Sequence, residues 1–145
     1  MKHQVSGKKF SRDRSDRKAL FKNLINSFII HGQLKTTESK ARRVRSLVEK
    51  LVTKGKKGTL HSQRLIFAFL QNKQAVGKLV NEIAPVFKGR PGGFTRLVKL
   101  GGTRRGDNAK EARLEWVEKP ILSKLKKKTK MAEKETKQNK KQKKK

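Results

Sequence analysis

Two adjacent arginines set among glycines form the stretch of this sequence best suited to hold an oxyanion: Gly101-Gly102-Thr103-Arg104-Arg105-Gly106-Asp107-Asn108. Glycine has no Cβ, so backbone N–H groups there can come close to a phosphate, and each guanidinium fork can bind one through two parallel hydrogen bonds. The same residues also build an ordinary solvated turn, and the stretch alone leaves both readings open. Asp107, Glu111 and Glu115 could be read as the Mg²⁺ site of a nuclease. On a strand, however, Glu111 and Glu115 share a face with Arg113 between them, and a guanidinium there competes for both carboxylates. Cross-strand ion pairs explain these acids equally well. His3, His31 and His61 are far apart and cysteine is absent, so metal binding and thiolate chemistry have no support. Neither a G-x-x-x-x-G-K-[ST] nor a G-x-S-x-G motif occurs. The sequence points to no cofactor and no small-molecule substrate.

The elements that must position the loop can be read around it. Pro91-Gly92-Gly93 is a turn signal, and Phe94 to Leu100 and Ala112 to Trp116 alternate as the two strands of a hairpin. Phe94, Arg96, Val98 and Leu100 form one face of the first strand, the more apolar one; Ala112, Leu114 and Trp116 share a face of the second. Apolar residues at helical spacing predict a helix from about Asp16 to His31, with Ser15 as N-cap and Gly32 as its stop. Gln33 to Thr36 is placed to add a third strand. A second helix runs from about Glu38 to Lys54, with Ala41, Val44, Leu47, Val48, Leu51 and Val52 as its apolar stripe. Its other face, with Lys40, Arg42, Arg43, Arg45 and Lys50, could follow a phosphate backbone or simply be solvated. Gly55-Lys56-Lys57-Gly58 ends that helix. Thr59 caps a third through about Leu70, with Leu65, Ile66 and Phe69 inward, and Asn72 starts a fourth that Pro85 stops. Gly77, within the fourth, reads as a mark of close packing.

Charge decides what kind of partner the chain takes. Its 145 residues, one domain by length, hold 41 lysines and arginines against 11 acids, a formal net charge of +30. Self-repulsion of that size disfavours a compact state unless a polyanion screens it. Residues 1–18 carry seven basic and two acidic residues, and residues 119–145 carry 13 lysines and two glutamates, which leaves +14 on residues 19–118. Polyanion binding is therefore a property of the folded body as well as of a basic arm and a lysine-rich tail. No apolar run approaches the roughly 20 residues that cross a bilayer, and the start lacks the apolar core of a signal peptide, which predicts a cytosolic chain without a membrane partner. Seven phenylalanines, one tryptophan and no tyrosine lean toward gripping backbone and shape over reading bases.

The order Met1-Lys2-His3, Gly7-Lys8-Lys9, Ser15, Arg17-Lys18-Ala19-Leu20, His31, Thr36-Thr37 and Lys40-Ala41 resembles the bacterial large-subunit ribosomal protein seventeen family. Gly92-Gly93-Phe94-Thr95-Arg96 followed by Arg105-Gly106-Asp107 extends the resemblance, which covers about residues 1–118. Asp16, Gly32 and Lys110-Glu111 depart from the family pattern.

The resemblance implies an α+β fold in two layers, with about four helices on a small, mostly antiparallel sheet that contains the hairpin. Composition divides the chain into a basic arm (1–14), expected to bind RNA, a globular domain (15–118) and a lysine-rich tail (119–145) that lies outside the resemblance. The resemblance also implies a structural, non-enzymatic constituent of the cytoplasmic large ribosomal subunit. Such a protein binds large-subunit ribosomal RNA and touches neighbouring ribosomal proteins near the polypeptide exit region. In that role Lys2, His3, Lys8, Lys9, Arg12, Arg14 and Arg17 neutralise phosphates from the arm, and Arg96, Arg104 and Arg105 hold RNA from the hairpin. Lys18, Lys40, Arg43, Gly101 and Gly102 complete the candidate contact set. The competing class is a lysine-rich DNA-compacting nucleoid protein, because a polycationic tail binds any duplex by releasing counterions.

Overall fold

The computed structural model describes residues 9–118 of the chain; residues 1–8 of the arm and the whole tail lie outside that range. Helix α1 spans Arg14–His31 and buries Phe21, Ile25, Phe28 and Ile29, an i, i+4, i+7, i+8 stripe. Its N-cap is Asp13, not Ser15, which lies inside the first turn. Gly32 ends the helix at φ 78°, and its N–H donates to the Phe28 carbonyl at 2.8 Å, the left-handed stop that glycine makes without a Cβ penalty.

Strand β1 (Gln33–Thr37) leads directly into α2 (Glu38–Lys56), which lies across the sheet with Ala41, Val44, Val48, Leu51 and Val52 buried beneath it. Gly55 does not end this helix. It is buried within the last turn, and a Cβ there would lie 3.3 Å from the Ala84 Cβ. Helix α3 (Leu60–Leu70) starts at Thr59, whose hydroxyl accepts from the Ser62 amide at 3.2 Å. This cap fixes the helix phase, and Ser62, Ile66 and Leu70 face the core. Leu65 is consequently turned outward, and Phe69 is half-buried.

Helix α4 (Lys73–Lys78) begins at Asn72, whose side chain accepts from the Ala75 amide at 3.2 Å. It continues as a π-helical turn, Leu79–Ile83, closed by Ala84 N–H to the Leu79 carbonyl at 2.8 Å just before Pro85. Gly77 does not mark close packing: a Cβ there would meet nothing within 4 Å.

Strands β2 (Thr95–Thr103) and β3 (Lys110–Trp116) form the hairpin, and the three-stranded sheet has the order β1-β3-β2, antiparallel throughout. Thr95 pairs with Trp116, Leu97 with Leu114 and Lys99 with Ala112, so these residues share the helix-facing side with Leu34 of β1. The more apolar alternation of the sequence is therefore not the inner face of β2. Arg96 and Val98 point away from the helices, and Phe94 reaches the core from the turn that precedes the strand. Its ring lies 5.3 Å from Phe87, which is 5.9 Å from Trp116; Phe28 covers the Trp116 ring at 4.4 Å. Helices on one face and an open opposite face give an α+β fold of two layers.

Candidate nucleic-acid interface

Strand β2 carries Gly101 and Gly102 within it, so the connecting loop is shorter than the eight residues the sequence assigns to it. Pairing shifts between Lys99↔Ala112 and Thr103↔Lys110, and Leu100, Gly101 and Gly102 stand opposite Glu111 alone. Such a bulge needs little side chain, and here it bends the hairpin end. The loop itself is closed by Arg104 N–H to the Ala109 carbonyl and Asn108 N–H to the Arg104 carbonyl, both at 3.1 Å. Asp107 organises it. Its carboxylate takes both sides of the Arg104 fork, with Nε to Oδ1 at 3.0 Å, and accepts from the Ala109 amide at 3.3 Å. These bonds, first the one from Arg104, hold the Asp107 carboxyl down to about 2. Arg104 is thus engaged with an acid, whereas Arg105 is exposed at the tip and pairs with no acid among the described residues.

Beside the hairpin end, the start of α2 and the end of the arm enclose an open groove of about 780 Å³. Arg42, Arg43 and Lys110 line it, with Glu38 as the one acid. Glu38 accepts from Arg42 Nη2 at 2.5 Å and lies 3.5 Å from Lys99 Nζ, so its carboxyl is held below its ordinary range, chiefly by the Arg42 hydrogen bond. Arg43 and Lys110 have no acidic partner among the described residues.

The arm reaches this groove through a tight turn. Phe10 and Ser11 adopt φ 57° and 49°, and the Arg12 amide donates to the Lys9 carbonyl at 3.3 Å. Phe10 is tethered edge-on to Phe21 of α1, with ring centroids 5.5 Å apart. Beyond the turn, Arg12, Arg14 and Lys18 are exposed around the first turn of α1, and Arg17 is half-buried. Arg12 donates to the Phe10 carbonyl at 3.2 Å and Arg17 to the Arg12 carbonyl at 3.4 Å. Four cations at a helix N-terminus oppose the macrodipole; the N-cap Asp13 and Asp16 in the first turn offset them in part, and an external anion would add to that. Lys9 is exposed just before the turn; Lys2, His3 and Lys8 lie outside the described residues.

The remaining candidates separate from this cluster. Arg96 is exposed on the open face of the sheet, opposite Glu115. On that face Lys35 bonds Glu111 at 2.8 Å and Arg113 bonds Glu115 at 3.3 Å, so most of its charge is balanced. Lys40 is half-buried on α2. Sequence reasoning left Phe10 and Lys110 out of the contact set, because their proximity arises only when arm, helix and hairpin meet; Arg42 it named only on the basic face of α2. It also did not foresee that Lys56 and Lys78 turn inward, donating at 2.5 Å to the carbonyls of Arg90 and Ile30. The nuclease reading loses its acids: Asp107, Glu111 and Glu115 are each bonded to a cation. Among the described residues no group of acids and histidines is placed to hold a metal ion, and no helix is long and apolar enough to cross a membrane. His31 and His61 are exposed.

Residues 20–117, from the body of α1 to the end of the sheet, match the family described as Ribosomal protein L17. The chain belongs to this family. It is 48% identical over 120 residues to the large ribosomal subunit protein bL17 of Sulfurihydrogenibium sp. (strain YO3AOP1), covering 83% of this chain and 99% of that one. To the protein of the same name from Geobacter metallireducens it is 43% identical over 127 residues, covering 88% of this chain and 71% of the relative. A third bL17, from Pelobacter propionicus, is 43% identical over 124 residues, covering 86% and 97%. The L17 family match takes in α2, the hairpin loop and the groove wall they form, and it excludes Phe10 and the arm cations.

Proposed function

We propose that this chain is a structural constituent of the large ribosomal subunit in the cytoplasm. There it binds and stabilises large-subunit ribosomal RNA beside neighbouring ribosomal proteins near the polypeptide exit region. Membership of the L17 family supports the setting. The observation that carries RNA binding is the meeting of arm, α2 and hairpin around one groove whose Arg43 and Lys110 have no acid to pair with among the described residues. Phosphates supply the missing counter-charge, and Arg12, Arg14, Arg17, Lys18 and Arg105 extend the same surface. Lys9 adds to it, and Lys2, His3 and Lys8, outside the described residues, are further proposed phosphate contacts. Arg96 and Lys40 bear on RNA from its margins, and the exposed backbone at Gly101 and Gly102 lets a phosphate come near.

A tagged chain expressed in a bacterial host should sediment with the large subunit through a moderate-salt sucrose gradient. Recovery mainly with genomic DNA would favour the DNA-compacting reading and overturn this one. Deleting residues 1–14 should impair incorporation more than deleting residues 126–145, since the arm is tied to the fold through Phe10 and the tail is a generic polycation.

A further inference from the structure

We propose that the groove receives one unpaired nucleotide of the bound RNA, its base lying against the Phe10 ring and its phosphate held by Arg43 and Lys110. The inference rests on the RNA-binding reading and adds a ligand class for one site. Size is the first argument. A space of about 780 Å³ is far larger than a phosphate needs and falls in the range, roughly 300–1,000 Å³, of pockets that take a molecule of nucleotide size.

Chemistry is the second. The lining joins the aromatic Phe10, the hydroxyl-bearing Thr37, Ser39 and Ser46, and the cations Arg42, Arg43 and Lys110, with Glu38 already bonded to Arg42. A hydroxyl both donates and accepts, which suits a base edge or a ribose. Unpaired bases are held on aromatic rings and guanidinium planes, with cations on the phosphates beside them.

The third argument is the placement of Phe10. Five of the other aromatic side chains are buried in the core and Phe67 lies out on α3; Phe10 and Phe69 are both half-buried and packed against the core. Phe10 alone stands beside the groove cations. Its left-handed φ of 57°, next to another at Ser11, is a conformation that residues with a Cβ seldom adopt, and the contact with Phe21 fixes the ring there before any ligand arrives.

Full-length chain bound to large-subunit ribosomal RNA tests the site, with dimethyl sulfate reporting unpaired adenine and cytosine and filter binding reporting affinity. The wild type should protect an unpaired base. Ser46→Trp, at an exposed helix position, fills the groove while keeping every cation and Phe10; Phe10→Leu removes the ring. Each should restore that base's reactivity and lower affinity roughly five-fold or more without changing the dependence on salt. Arg43→Gln with Lys110→Gln should instead flatten the log–log salt slope by about two, about one for each cation. Protection that is the same in wild type, Ser46→Trp and Phe10→Leu would overturn the proposal and leave a groove that meets only phosphate or protein. Failure of the wild type to bind the RNA at all would overturn the RNA-binding reading itself, and the site with it.

Discussion

The carboxylate of Glu49 on α2 accepts hydrogen bonds from both the hydroxyl and the amide of Thr95 on β2, at 2.9 and 3.3 Å. The Gly93 amide donates to the same carboxylate at 3.0 Å. One of the few acids of the body thus ties the turn before the hairpin to the helix whose start lines the groove. Charge-assisted bonds of this kind contribute about 1.5–3 kcal/mol. Glu49→Ala should therefore lower the unfolding free energy by about 2–3 kcal/mol in urea denaturation, and Glu49→Gln, which keeps one acceptor, by about half as much. A loss below about 0.5 kcal/mol for the alanine variant would show that α2 and the hairpin are held together by apolar packing alone.

Two glycines on helices should respond in opposite ways. Gly77 has open space where a Cβ would go, so Gly77→Ala should stabilise the protein by up to about 1 kcal/mol through helix propensity. Gly55 is packed on Ala84, and Gly55→Leu should cost about 2–3 kcal/mol by overpacking the contact between α2 and the π-helical turn. Thermal unfolding of both variants checks the pair; a stabilised Gly55→Leu would contradict the close approach.

Asp107 sets a pH limit on the hairpin loop. Its pKa of about 2 in the folded chain lies below the ordinary value of 3.8, so its contribution is fully present above about pH 4 and is lost as pH falls through about 2. An NMR titration of the Ala109 amide should show its midpoint near 2; a midpoint near 3.8 would mean that Arg104 does not hold the carboxylate. Asp107→Asn frees the Arg104 fork and should steepen the salt dependence of RNA binding by up to about one.

Cations that face outward and cations that face inward should give different phenotypes. Arg43→Gln, Arg105→Gln and Arg14→Gln should each reduce the log–log salt slope of RNA binding by about one while leaving stability within about 0.5 kcal/mol. Lys78→Met removes the donor to the Ile30 carbonyl at the end of α1 and should cost about 1–2 kcal/mol of stability, with the slope unchanged. A slope change for Lys78→Met, or a stability loss for Arg43→Gln, would reverse that assignment.

Much of the element order was legible because it depends on local chemistry. The Gly32 stop, the Thr59 and Asn72 caps and the short strand after α1 each follow from residues within a few positions of one another, and all four are present. The errors have a common cause. Ser15 and Asp13 are both competent caps, and Arg14 is as good a first helical residue as Asp16, so local preference does not separate them. In β2 the apolar count favoured the face of Val98 and Leu100. Pairing with β3 and the Glu49 bond to Thr95 chose the other face, because a strand's register obeys its partners. Leu65 was assigned inward on apolarity, yet α3 is short and its cap sets the buried stripe at Ser62, Ile66 and Leu70.

Composition and local spacing by themselves determined a strongly basic chain of helices and a hairpin, and its L17-like order of motifs, because charge count, caps and turn residues are written along the backbone. Tertiary structure alone decided which cations remain without a partner inside the fold, among the described residues. Lys56 and Lys78 go to the carbonyls of Arg90 and Ile30, far away in sequence, whereas Arg43 and Lys110 are left facing one groove with Phe10. The physical reason is that a cation's partner is set by distances of 3–4 Å between segments remote in sequence, and such distances exist only once α2, the hairpin and the arm have come together.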